Sequence, residues 1–175
     1  MDIQTRVSIE TVEMLEYLRD WLSNLEGIKV TNGQILTRAI NDTYDQWNKI
    51  SWSTVSNLPV KLPKRGDNFT VSSSPRPLFQ VNQNIHNRYY DEFLPLLKEK
   101  LQVAHYVKSS AAIRLLLRYE IYLLQANDNE QVSLVKDNIK RSSEEFISSH
   151  DVDAELINQF SDFLIKNLVE SGFIK

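Results

Sequence analysis

From Ile3 to Ile9 the side chains alternate: Ile3, Thr5, Val7 and Ile9 fall on one face, and Gln4, Arg6 and Ser8 on the other. Period two over this length predicts a half-buried strand. The period then changes. Val12, Leu15, Leu18, Leu22 and Leu25 recur at three- and four-residue steps, predicting a helix over roughly 10–26 that Gly27 stops. Thr31 or Asn32 supplies an N-cap for a second helix with an apolar stripe of Ile35, Leu36, Ala39, Ile40, Tyr44 and Trp47.

The same order returns from Leu78. Phe79 and Val81 point one way and Leu78, Gln80 and Asn82 the other, predicting a second short strand. Ile85, Tyr89, Phe93, Leu96, Leu97 and Leu101 follow in helical register, with Pro95 expected to kink that helix or to mark a start near Asp91. Ser109 or Ser110 caps a further helix carrying Ile113, Leu116, Leu117, Ile121 and Leu124, expected to end at Asn127 to Asn129. Between the copies, residues 51–77 break every periodicity. They hold four of the five prolines and a basic patch of Lys61, Lys64 and Arg65, and read as a linker or as an arm anchored by Trp52, Leu58 and Val60. Two more helices are expected at the end, one through Val132, Val135, Ile139 and Phe146, the other through Leu156, Ile157, Phe160, Phe163, Leu164 and Leu168.

This organisation predicts a mainly α chain with short β-strands: a first unit over 1–50, a Pro/Ser-rich basic linker or arm over 51–77, a second unit over 78–126 and a C-terminal helical pair over 127–175. A lone strand leaves its backbone groups unsatisfied, so each strand must find a mate, within the chain or in a second copy.

Composition narrows the function. The chain has no cysteine, which excludes disulfides and thiolate metal sites, and only four glycines, with no glycine-rich phosphate loop. His86, His105 and His150 lie on different segments without ligand spacing, no serine sits in a glycine-flanked elbow, and Glu144-Glu145 and Asp151-Asp153 read as solvated helix ends. Neither catalysis nor a cofactor is expected. No apolar run reads as a signal peptide or a membrane span, so a cytoplasmic protein is expected. The net charge of −3 hides a division: −4 over residues 1–45, +6 over 46–120 and −5 over 121–175. A basic middle permits phosphate contacts.

The order strand, "TVEMLEYLRDWLSNLEG", "TNGQILTRAIND" resembles the ribbon-helix-helix repressors of MetJ/Arc type, and "LFQVN", "IHNRYYDEFLPLLKEKL", "KSSAAIRLLLRY" resembles it a second time. In that family two strands pair antiparallel, alternate ribbon residues read base edges in the major groove, and the start of each second helix holds a phosphate. The resemblance implies a tandem ribbon-helix-helix regulator of double-stranded DNA, a transcriptional repressor or a replication or partition control protein of a plasmid, phage or other mobile element. It acts as a homodimer or an intrachain pseudo-dimer. Gln4, Arg6, Ser8, Gln80 and Asn82 would face bases, where Arg suits guanine and Gln or Asn suits adenine. Thr31, Asn32, Lys108, Ser109, Ser110 and Arg114 would meet phosphates. Two copies in one chain are unusual for the family, and the first copy is acidic. Polar residues on a strand's wet face, and Ser or Thr before a helix, are also ordinary structural features. The alternative from another class is an all-helical protein-interaction module, an antitoxin or inhibitor, meeting a protein partner through the acidic C-terminal helices.

Overall fold

The computed structural model describes residues 1–63, 75–149 and 154–170, so Lys64 and Arg65 of the basic patch lie outside it. Helix makes up 70% of the chain and strand 4%. The order is β1 (Asp2–Gln4), α1 (Ile9–Glu26), α2 (Asn32–Thr43), α3 (Trp52–Val55), β2 (Leu78–Gln80), α4 (Gln83–Asn87), α5 (Leu94–Lys100), α6 (Ser109–Ser149) and α7 (Ala154–Glu170). Residues 1–122 form one compact unit and residues 123–175 another.

The first unit is organised around a two-stranded antiparallel ribbon made within one chain, pairing Asp2 with Gln80, Ile3 with Phe79 and Gln4 with Leu78. Its hydrogen bonding reaches further. Met1 and Val81 exchange two bonds of 2.8 and 2.9 Å, and Val7 N–H donates to the Pro75 carbonyl at 3.0 Å. The register has its own two-fold symmetry: moving 76 residues along carries Asp2 to Leu78, Ile3 to Phe79 and Gln4 to Gln80, which maps the ladder onto itself. Ile3 and Phe79 form its fully buried inner face, while Asp2, Gln4, Leu78 and Gln80 are exposed.

The strands are shorter than the alternation from 3 to 9 suggests. The Ser8 hydroxyl accepts from Thr11 N–H and starts α1 there, so Ile9 is a helical residue, 54% exposed, and not an inward strand residue. Gly27, at φ 68°, takes the left-handed conformation that ends α1, its N–H donating to Ser23 carbonyl. Thr31 opens α2 with a capping box shared with Gln34. Pro95 does not break its helix. A π-turn over Arg88–Phe93 precedes it, and the wider turn makes room for a ring that would collide with the carbonyl four residues back.

Within 51–77, Trp52 and Val55 are buried in α3, and the tryptophans at 47 and 52 close on Phe93 with ring centroids 4.7 and 5.0 Å away. Trp52 Nε1 donates to the Trp47 carbonyl, and the Arg118 guanidinium to the Leu58 carbonyl. This part of the stretch is a packed arm of the first unit. Asn127 to Asn129 do not end a helix, because α6 runs through them for 41 residues. Asparagine lowers helix propensity only modestly, and no Gly or Pro follows to stop the turn.

In the second unit, α6 and α7 meet where the Ser143 and Ser161 hydroxyls hydrogen-bond, small side chains that permit close approach. Ser161 is buried, whereas Phe160, Phe163, Leu164 and Val169 are exposed. Among the described residues no helix is long and apolar enough to cross a membrane.

Candidate nucleic-acid interface

The ribbon's outer face carries Asp2, Gln4, Leu78 and Gln80 in the strands, with Arg6 exposed two residues beyond β1. Continuing the ladder's register sets Arg6 across from Arg76, between the Gln4–Leu78 pair and the Val7–Pro75 hydrogen bond. Both side chains are exposed, and two like charges set on facing positions favour an anion near them.

Both arginines line an open cleft of about 580 Å³ together with Gln4, Thr5, Tyr106, Lys108, Ser109 and Ser110. Five residues singled out in the sequence for DNA contact therefore come together: Gln4, Arg6, Lys108, Ser109 and Ser110. The latter two begin α6, whose first-turn N–H groups and dipole favour negative charge. The start of α6 is pinned by Tyr89, whose hydroxyl donates to the Ser109 carbonyl at 3.0 Å. Burial raises the Tyr89 phenol far above its ordinary value, so it stays protonated. The cleft's lining holds three cations and no carboxylate among the described residues.

The other expected residues lie elsewhere or are engaged. Ser8 and Asn82 sit at the ribbon's two exits, but each spends its side chain as a helix cap, Asn82 Oδ1 accepting from Ile85 N–H at 2.9 Å. Thr31 is bound into its capping box, and Asn32 Oδ1 accepts from the Arg19 guanidinium at 2.6 Å. Arg114 lies 3.9 Å from Glu10, which also pairs with Arg118. Lys61 is exposed on the arm. Arg76 and Tyr106 escaped the sequence reading. Arg76 lay in the stretch assigned to the linker, and only the ladder's register could have put it opposite Arg6. Tyr106, 71% exposed, belongs to no periodic pattern.

A second cleft, of about 510 Å³, occupies the related position at the other end of the ribbon. It takes Gln80, Val81 and Asn82 where the first takes Gln4, Thr5 and Arg6, and Gly33 and Gln34 of α2 where the first takes Ser109 and Ser110. Here the charged residues are Glu26, Arg38 and Asp42. Arg38 lies 3.2 Å from Asp42, 3.9 Å from Glu26 and 3.6 Å from Glu120 of α6, with its guanidinium over the Trp21 ring. Glu120 is 2% exposed and its carboxyl is pushed up to about 7, first by burial and then by Asp42, with Arg38 opposing.

No family model, curated protein or solved structure matches the chain.

Proposed function

We propose that the chain is a sequence-specific DNA-binding regulator, a tandem ribbon-helix-helix protein whose two copies pair with each other in one polypeptide. A two-stranded ribbon fits the major groove, about 12 Å wide, with one face toward base edges. The observation that carries the reading is the cationic cleft of Arg6, Arg76 and Lys108, which also takes in Gln4 of the ribbon's outer face. In this reading Gln4, Arg6 and Gln80 read bases. Lys108, Ser109, Ser110 and Arg76 hold the phosphate backbone, and Tyr106 packs on the sugar-phosphate edge. Control is by occupancy: the bound ribbon excludes competing machinery from its site. A mobility shift against a random-sequence duplex pool, over a salt series, tests it. Wild type is expected to enrich a specific sequence with binding that weakens steeply with salt, and Arg6→Ala to lose the sequence preference. Equal indifference of both proteins to duplex DNA overturns the proposal.

A second reading is favoured by the exposed Phe160, Phe163 and Leu164 on α7, in a unit rich in acidic residues. There the C-terminal helices are a protein-interaction module, of antitoxin or inhibitor kind or for pairing two copies. Light scattering of wild type and a Phe160→Ser/Phe163→Ser variant separates these. Self-association that the variant loses assigns the face to a second copy; a monomer in both cases leaves a different protein as the partner.

A further inference from the structure

The ladder's two-fold symmetry makes the two clefts equivalent in position and nearly equal in volume, yet their chemistry is opposite. The first gathers Arg6, Arg76 and Lys108. At the symmetry-related places the chain has Asn82 for Arg6 and Asn32 for Lys108, and the second cleft adds Glu26 and Asp42. Its one guanidinium, Arg38, is already surrounded by three carboxyl groups. The helix beside the second cleft is also packed closely on its strand. At Gly33 a Cβ would stand 1.9 Å from the Gln80 carbonyl oxygen, so α2 lies hard against β2, and Asn32 reaches the Leu78 carbonyl from the same turn. A phosphate entering this end would meet the carboxylates of Glu26 and Asp42.

We infer that the duplex partner is gripped at one end only: the strand passing the Arg6/Arg76/Lys108 cleft is anchored by its phosphates, the opposite flank is not, and the recognised sequence lacks dyad symmetry. This rests on the DNA-binding reading and deepens it. A symmetric dimer of ribbons holds both flanks alike and reads an inverted repeat. Here one polypeptide carries both strands, so each end has its own side chains.

The test is phosphate-ethylation interference on both strands of the duplex selected by the full-length chain. Interference is expected on one flank of the site, at phosphates bordering the first cleft. Lys108→Ala and Arg76→Ala are each expected to weaken binding severalfold and to lower the slope of log K against log salt by about 1. Thr37→Ala, in the second cleft, should change neither. Circular dichroism melts of the variants confirm that each remains folded. Equal interference on both flanks, with the salt slope still lowered in Lys108→Ala and Arg76→Ala, overturns the inference and leaves the DNA-binding reading standing; an unchanged slope in both variants overturns the inference together with the cleft on which that reading rests. Failure to select any duplex overturns both.

Discussion

Replacing Glu120 with glutamine is expected to stabilise the protein more at alkaline than at acid pH. Glu120 sits on α6 with 2% of its surface exposed, and neither carboxyl oxygen has a hydrogen-bond donor within reach. One guanidinium, Arg38, faces Glu120, Asp42 and Glu26 together, so a third negative charge has little to balance it. A proton on Glu120 relieves the crowding. Accordingly the carboxyl titrates near 7 in place of 4.5. The folded protein then retains a proton that the unfolded chain releases, so this stability is fully present below pH 4.5 and is lost as pH rises through 7. At 1.36 kcal/mol per pH unit the loss totals about 3 kcal/mol, of which about 2 kcal/mol falls between pH 5.5 and 8.5. Glutamine keeps the shape of the protonated acid, and its amide donates to Asp42 without titrating. Urea unfolding followed by tryptophan fluorescence reports on this unit directly, because Trp21, Trp47 and Trp52 all lie in it. The advantage of Glu120→Gln over wild type should grow by about 2 kcal/mol between pH 5.5 and 8.5. A difference flat to within about 0.5 kcal/mol across that range refutes the account of a protonated, buried Glu120.

Gly33→Ala, which in an open helix would gain about 1 kcal/mol, should instead cost about 1–3 kcal/mol, because its Cβ would collide with the Gln80 backbone; a thermal melt gives the sign. Phe79→Ala removes the largest side chain of the ribbon's buried face and should destabilise by about 3–5 kcal/mol in urea titration. Thr31→Ala breaks the capping box of α2 and should cost about 1 kcal/mol by the same assay. Arg118→Ala frees the Leu58 carbonyl and leaves Glu10 without its nearest cation; limited proteolysis should then cut the arm faster, at a stability loss of about 1.5–3 kcal/mol.

Much of this architecture could be read from the chain because it rests on short-range periodicity. The inward Phe79 and Val81 and the outward Leu78, Gln80 and Asn82 follow from alternation alone, and the α1 and α2 stripes from three- and four-residue steps. What was not legible depends on partners distant in sequence. Alternation continues past Gln4 to Val7, yet the strand stops where Ser8 finds the Thr11 N–H, a local competition that periodicity does not register. The arm's packing depends on Trp52 meeting Phe93; Trp52 was legible as an anchor, but the ring it meets, 41 positions on, was not. Of the candidate site, the polar ribbon residues and the cap residues were visible singly. Which of them share a cleft was not, because Arg76 joins Arg6 only through a register that pairs positions 70 residues apart.

That register also explains how a symmetric scaffold can hold asymmetric chemistry. The ladder needs apolar residues at 3 and 79 and open backbone groups on either side of them; it places almost no demand on the outward side chains. In a dimer of identical chains, each outward substitution appears at both ends. Joined in one chain, the two ends vary independently, so one can keep arginines in opposition while the other fills with Glu26, Asp42 and the Arg38 cluster. The acidic end has a structural occupation of its own, since Arg38 and Asp42 of α2 reach Glu120 of α6 and tie the two halves together. A phosphate anchor there would have to compete with that junction for the one guanidinium among the described lining residues. The end that joins the halves is therefore the end least able to hold a phosphate, and the cations collect at the other.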